Sequence, residues 1–254
     1  MITEETTAAL ADRLDTARTT RTATPSLADT HSLHVDDAYA VQRALVARRR
    51  ARGERLTGVK LGFTSEAKMA QMGVSEVIVG RLTDAMRVAD DGDLALAGLI
   101  HPKVEPEIAY RLGYDVDPGD PTSFLVGAVD AVAPALEIID SRYRDFRFTY
   151  EDVIADNTSA AAYVLGPWSP PQDLGDRKVL LTSGVQEATG STSAILGDPV
   201  RALHALRDIC HRRMIPLRAG EVILAGAATA ALPLVAGTTR AEVAGLGSVT
   251  VRGV

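Results

Sequence analysis

The run APALEIID places a carboxylate, Glu137, beside Leu136, Ile138 and Ile139 in a stretch whose residue types read as a mostly buried strand. An uncompensated carboxylate inside such a strand is costly. A fold built on this sequence must therefore bring Glu137 to a bound cation or to a buried Lys or Arg, or turn it to the surface. Spacing leaves all three open.

Two further acids narrow the choice of chemistry. In HPKVEPEIAY, Glu105 and Glu107 stand two apart, so on a strand both side chains leave the same face and their carboxylates can reach one cation. Pro106 points the other way and offers no ladder donor, which predicts an edge strand or a bulge. An exposed strand with alternating acids is the plainer alternative. Glu105, Glu107 and Glu137 together would make an oxygen-rich set suited to a hard divalent ion, Mg²⁺ or Mn²⁺.

Lys60 lies within the apolar strand GVKLGF, either facing outward or buried as an amine that can move protons or pair with a substrate carboxylate. Asp84 in GRLTDAM and the run from Asp156 to Ser159 in IADNTSA are polar groups beside apolar stretches, for which capping and turn formation are the ordinary explanations. The five histidines show no metal-ligand spacing. His204 and Cys210 lie six residues apart, off any common helix face, so Cys210 reads as core.

The rest of the chain sets the frame. With 254 residues and 46% hydrophobic content it can bury a sizeable core, and its net charge of −6 opposes binding to nucleic acid or anionic lipid. One cysteine excludes an intrachain disulfide framework and a cysteine zinc cage, so a reducing cytoplasm is expected. No signal peptide or apolar span of membrane length is read. Thr3 caps a first helix carrying Leu10, Leu14 and Ala17, and Asp36 or Asp37 caps a second that ends in arginines before Gly53. Strands are expected at LTGVKLGF and over residues 104–112, 135–139, 179–181, 222–225 and 248–252, a short helix over 65–73, and a longer one from Asp198 and Pro199. The glycines of GLGS (245–248) read as turn residues, and GPWSPPQDLGD (166–176) as a surface loop. Many strands with few helices predict an α+β fold, with residues 1–54 a helical subregion and 55–254 the strand-rich, metal-binding part of one catalytic domain.

In this order, GVKLGFTSEAKMAQMGV, LIHPKVEPEIAY, PALEIIDSRYRDF, VIADNTSA and GLGSVTVR resemble the hydratase/decarboxylase branch of the fumarylacetoacetate hydrolase superfamily over nearly the whole chain. The resemblance implies a mixed β-roll, a homo-oligomer, and a divalent metal held at Glu105, Glu107 and Glu137, with Lys60 and Asp84 at proton-handling or substrate-contacting positions. It implies action on 2-oxo acids from meta-cleavage of aromatic rings. TAALPL (229–234) has no Arg near Ala230, where hydratases usually carry one, which favours decarboxylation of 2-oxo-3-hexenedioate to 2-hydroxy-2,4-pentadienoate. Hydration of 2-hydroxy-2,4-dienoates is the alternative, and a non-catalytic subunit supporting a hydratase or decarboxylase partner is a third. Arg142 or Arg144, if inward, would hold a second carboxylate; surface placement is their ordinary fate. Relative to the family, residues 166–190 are shortened and VSEVIVGRL lacks an acidic-proline turn, which implies a difference in substrate length.

Overall fold

A computed structural model describes residues 1–65, 69, 76–120, 122 and 125–254 of the chain, so the short helix expected over 65–73 lies outside the described residues. Helix α1 spans Glu4–Thr20; Thr3 caps it by accepting the Thr6 N–H, Glu4 and Glu5 sit in its first turn, and Leu10, Leu14 and Ala17 are buried. Helix α2 spans Val35–Ala51 and ends in Arg48, Arg49 and Arg50. Its cap lies earlier than Asp36 or Asp37. His34 is the N-cap, and Asp37, inside the first turn, accepts the His34 N–H at 3.1 Å and the Ile2 N–H at 2.9 Å. The earlier start lets Val35 join the apolar cluster between the two helices.

Among the described residues the strands form two mixed sheets. The larger contains β1 (Leu56–Gly62), β2 (Ile78–Thr83), β3 (Arg87–Val88), β5 (Lys103–Leu112), β6 (Val129–Ile139), β7 (Ala160–Leu165), β10 (Val222–Ala227) and β11 (Leu232–Pro233). Its order is β2-β1-β10-β5-β6-β7-β3, with β11 also paired to β5. The smaller contains β4 (Gly92–Leu94), β8 (Lys178–Ser183), β9 (Gln186–Ser191), β12 (Gly237–Val243) and β13 (Gly247–Gly253), in the order β4-β13-β12-β8-β9. The turn between β12 and β13 covers residues 244–246, so GLGS runs from that turn into β13. Helices α3 (Tyr150–Ala155) and α4 (Pro199–Arg213) complete an α+β architecture, with Asp198 capping α4.

Alternation along each strand assigns the two faces of the large sheet. One face packs Val104, Leu136, Ile138 and Val164 against Leu181, Ala241, Val249 and Val251 of the small sheet. Beside that layer, Val59, Leu61, Ile108 and Ile223 meet Leu203, Leu206 and Cys210 of α4, so Cys210 is core as expected. The opposite face curls inward around Ala109, Ala133, Ala135, Tyr163 and Leu224. Three alanines there leave room for strong curvature, and Thr57 Oγ1 on β1 meets the Tyr163 hydroxyl on β7 at 3.0 Å although the two strands are not neighbours. The sheet is thus a roll. Helices α1 and α2 cover one end, packing Leu10, Leu14, Tyr39 and Leu45 against Ile78, Tyr143 and Ile154.

One strand expectation is corrected. β5 is not an edge strand: it lies between β10 and β6 in the middle of the sheet. The bulge belongs to its neighbour, where pairing shifts between Leu224 and Ala227. Pro106 is tolerated because its carbonyl accepts the Ala228 N–H just where the chain leaves β10, so its missing donor faces the break between β10 and β11.

Candidate active site

β5 and β6 pair antiparallel with Glu105 directly opposite Glu137, so both carboxylates leave the concave face, and Glu107 joins them two residues along β5. Carboxylate oxygens of the three lie within 4.8 Å of one another. All three are buried, with exposures of 5%, 1% and 0% for Glu105, Glu107 and Glu137. An exposed acidic strand is therefore excluded.

Lys60 comes from β1 and turns inward, 3% exposed. Its Nζ lies 2.8 Å from Glu137 Oε2 and donates to the Thr158 carbonyl at 3.2 Å. Among the described residues Lys60 is the ammonium in contact with this trio, and three carboxylates share a dry place. Burial first, then the Glu137 charge, hold Glu107 well above the ordinary carboxylate range; Lys60 opposes this and Glu105 adds to it. Glu137 is raised by burial too, with Lys60 opposing and Glu105 reinforcing. Glu107 Oε2 accepts the Gly226 N–H at 2.7 Å, but Glu107 Oε1 accepts no hydrogen bond, and the Lys60 approach to Glu137 is a charge contact that leaves both Glu137 oxygens without an aligned donor. Buried lone pairs, excess negative charge and hard oxygen donors fit a divalent cation.

Backbone irregularity on both sides shapes this floor. Gly226, at the β10 bulge, has φ +115°, and a Cβ there would stand 1.9 Å from Thr64 Oγ1. Only glycine lets that N–H reach Glu107. Opposite, Asn157, Thr158 and Ser159 form a left-handed turn with φ of 51°, 53° and 60°, a conformation costing roughly 1–2 kcal/mol per residue. Asn157 holds it by accepting the Arg81 N–H at 2.7 Å and donating to the Arg81 carbonyl at 2.9 Å. The polar run at Asp156–Ser159 is thus a turn, as expected, and it also aims the Thr158 carbonyl at Lys60. Gly80 admits this turn against β2: an added Cβ would lie 2.1 Å from Thr158 Oγ1 and 2.7 Å from the Asn157 carbonyl. Gly80→Ala is expected to cost about 1–3 kcal/mol through overpacking, read as a lowered thermal midpoint together with lost activity; an unchanged midpoint would show that the turn yields freely.

A cavity of about 360 Å³ opens beside Glu105 and Lys60. Lys60, Lys103, Glu105, Thr158 and Ser159 supply its polar lining, and Phe63, Ile78, Ile139, Phe146, Phe148, Val153 and Ala231 its apolar walls.

Two sequence expectations do not reach the cavity. Asp84 sits just before the level of Leu56 at the start of β1, while Lys60 lies near the end of that strand. Its carboxylate accepts the Arg55 N–H at 2.9 Å, Arg55 Nε at 3.0 Å and the Ala85 N–H at 2.9 Å, bonds that hold it below the ordinary range, the Arg55 N–H foremost. Asp84 caps a turn and is not brought to the acids. Arg142 does point inward, but its guanidinium is bound to Asp156 and to the carbonyls of Asp140 and Ala160. Burial, with Arg142 opposing, leaves Asp156 pushed up to about 6. Arg144 is exposed. Lys103 and the aromatic wall went unread in the sequence, although Lys103 stands two residues before Glu105 and the same period-two rule carries it to the same face.

No protein-family model matches the sequence. A 4-oxalocrotonate decarboxylase of a Pseudomonas species is 47% identical over 244 residues, 95% of each chain. The chain belongs to the hydratase/decarboxylase branch of the fumarylacetoacetate hydrolase superfamily. Another member of this branch, a 2-keto-4-pentenoate hydratase of Paraburkholderia xenovorans, is 43% identical over 200 residues, 77% of this chain and 74% of its own. In three dimensions, the 4-oxalocrotonate decarboxylase of Pseudomonas putida G7, complexed with magnesium and adipate, superposes with a TM-score of 0.92 at 34% identity over 100% of this chain and 99% of its own. The branch's β-roll and N-terminal helices are thus present from end to end.

Proposed function

We propose that the chain is a divalent-metal-dependent lyase that decarboxylates 2-oxo-3-hexenedioate (4-oxalocrotonate) to 2-hydroxy-2,4-pentadienoate. The observation that carries the reading is the buried trio of Glu105, Glu107 and Glu137 beside Lys60, with Glu105 and Lys60 lining a cavity. The 47% identity to a decarboxylase over 95% of both chains supports the reaction, and Ala231, from the segment that lacks the hydratase arginine, lines the cavity.

A Mg²⁺ or Mn²⁺ ion held by the three glutamates would supply Lewis acidity toward the carbonyl of a 2-oxo acid. Lys60 Nζ is the chain's proton carrier and charge partner there, held to Glu137 and the Thr158 carbonyl so that it faces the cavity. The distal carboxylate of this substrate is vinylogous to its ketone. As CO₂ leaves, the bonding electrons pass through the alkene to the 2-oxo oxygen, and one proton delivered to that oxygen, from Lys60, gives the dienol product. Phe63, Phe146, Phe148 and Ile139 give the dienol an apolar wall. Asp84 takes no part.

We take the chain as one catalytic unit, because the helices of residues 1–54 share a core cluster with Ile78, Tyr143 and Ile154 of the roll. No helix among the described residues is long and apolar enough to cross a membrane. Cys210 is free and buried, which suits a reducing compartment, and we place the enzyme in the cytoplasm as a homo-oligomer able to associate with a hydratase or decarboxylase partner.

The test is product analysis by NMR with CO₂ detection, after incubation with 2-oxo-3-hexenedioate and Mg²⁺, with and without EDTA. EDTA-sensitive CO₂ release is the expected result. Unchanged substrate, with water added instead to 2-hydroxy-2,4-pentadienoate, would replace the reading by hydration, a reaction favoured by the 43% identity to a hydratase. Protein that binds no Mg²⁺ and only stimulates a partner's activity would make it a supporting subunit.

A further inference from the structure

We infer that Lys103, steadied by Phe146, holds the second carboxylate of the substrate and gives the cavity its preference for dicarboxylates; this inference rests on the reading above. A six-carbon 2-oxo diacid carries one carboxylate beside its ketone and another at the far end. Glu105 and Lys60 line the cavity beside Glu107 and Glu137, so the far carboxylate must find a cation elsewhere along its walls. Arg142 is consumed by Asp156, and Arg144 stands exposed outside the lining. Lys60 is committed to Glu137. Among the described residues that line the cavity, Lys103 is the remaining cation, and none of their carboxylates pairs with it.

Its position follows from the strand. Lys103, Glu105 and Glu107 leave the same face of β5, so the Lys103 and Glu105 backbones stand ~7 Å apart along the wall, a span comparable to the reach of a six-carbon chain. Lys103 Nζ rests 4.1 Å from the centre of the Phe146 ring, a contact that fixes the ammonium without neutralising it. Phe146 is itself held in an unusual way: Asp145 and Phe146 have φ of 56° and 52°, rare for an aromatic residue. The segment is pinned on one side by Arg144 donating to the Thr24 carbonyl at 2.9 Å. On the other the Phe146 ring packs on His101, 4.5 Å between centres, and His101 is tethered to the Ser141 carbonyl at 2.7 Å. Backbone strain at this point places an aromatic ring against Lys103, the one cation among the described lining residues that no carboxylate pairs with.

The test compares Mg²⁺-loaded wild type with Lys103→Met and Lys103→Arg, using adipate and hexanoate as probes of equal length with two carboxylates and one. Calorimetry should show wild type preferring adipate, and Lys103→Met losing roughly ten- to a hundredfold in adipate affinity while hexanoate binding stays the same. Lys103→Arg should restore most of the preference. With 2-oxo-3-hexenedioate, Lys103→Met should raise KM by a similar factor and change kcat less. No adipate preference in wild type, or equal losses for both probes in Lys103→Met, overturns the inference. The two levels separate cleanly. CO₂ release with a probe preference indifferent to Lys103 removes the anchor and keeps the lyase. A Lys103-dependent adipate preference in a protein that releases no CO₂ keeps the anchor and removes the decarboxylase.

Discussion

Glu107→Gln is expected to abolish turnover while leaving the metal-free protein as stable as wild type, or more so. Gln keeps the shape of the side chain and an oxygen that can accept the Gly226 N–H. What it removes is a fully buried charge pressed against Glu137 and Glu105, the charge whose cost is visible in the raised pKa of Glu107. Loss of one of three anionic ligands weakens metal binding, and with it a Lewis-acid contribution of several kcal/mol, so activity should fall by roughly a thousandfold or more. The measurement is thermal unfolding in EDTA and in Mg²⁺ beside the CO₂ assay. Wild type should gain stability from Mg²⁺ by mass action, and Glu107→Gln should gain little. A pH dependence follows with a definite sign. Glu107 and Glu137 bind protons more tightly folded than unfolded, so the metal-free fold loses stability as pH rises from the ordinary glutamate range toward their raised values, while Mg²⁺ affinity grows over the same range. A metal-free wild type that is stabilised by rising pH there would contradict this account of the site.

How much of this was legible beforehand depends on the range of each interaction. Period-two spacing was enough to put Glu105 and Glu107 on one face, and an acid among Leu136, Ile138 and Ile139 was enough to require a cation, a buried Lys or Arg, or a turn to the surface for Glu137. Which compensation it receives depends on β1 lying two strands from β5, so that Lys60 crosses the floor of the roll, and no local pattern encodes that strand order. Pro106 suggested an edge because the local rule is right and the context is not: a break in the neighbouring strand removes the partner its missing N–H would have needed. Asp84 failed for the opposite reason. Its local role occupies both oxygens, Oδ1 accepting the Arg55 and Ala85 backbone N–H groups and Oδ2 the Arg55 Nε–H. Asn157–Ser159 reads as an ordinary turn, and its left-handed form becomes intelligible only once Gly80 on β2 is seen to leave space for it.

Lys60→Met is expected to separate proton handling from metal binding. Lys60 carries the only ammonium in contact with the acids among the described residues, and it touches Glu137 rather than replacing a ligand. Its loss should lower kcat by roughly 10²–10⁴, the range for a general acid or base. Mg²⁺ should still raise the thermal midpoint, and by more than in wild type, because the variant lacks the ammonium that contacts Glu137. Without metal the variant should be destabilised by up to about 3–5 kcal/mol, the cost of stranding one partner of a buried pair. The double variant Lys60→Met/Glu137→Gln decides between the two causes of lost activity. It removes the stranded charge together with its partner, so metal-free stability should return toward wild type while activity stays lost. If the double variant regained turnover, the defect in Lys60→Met would lie in folding. If Lys60→Met itself matched wild-type turnover, Lys60 would leave the mechanism and its pairing with Glu137 would be structural alone.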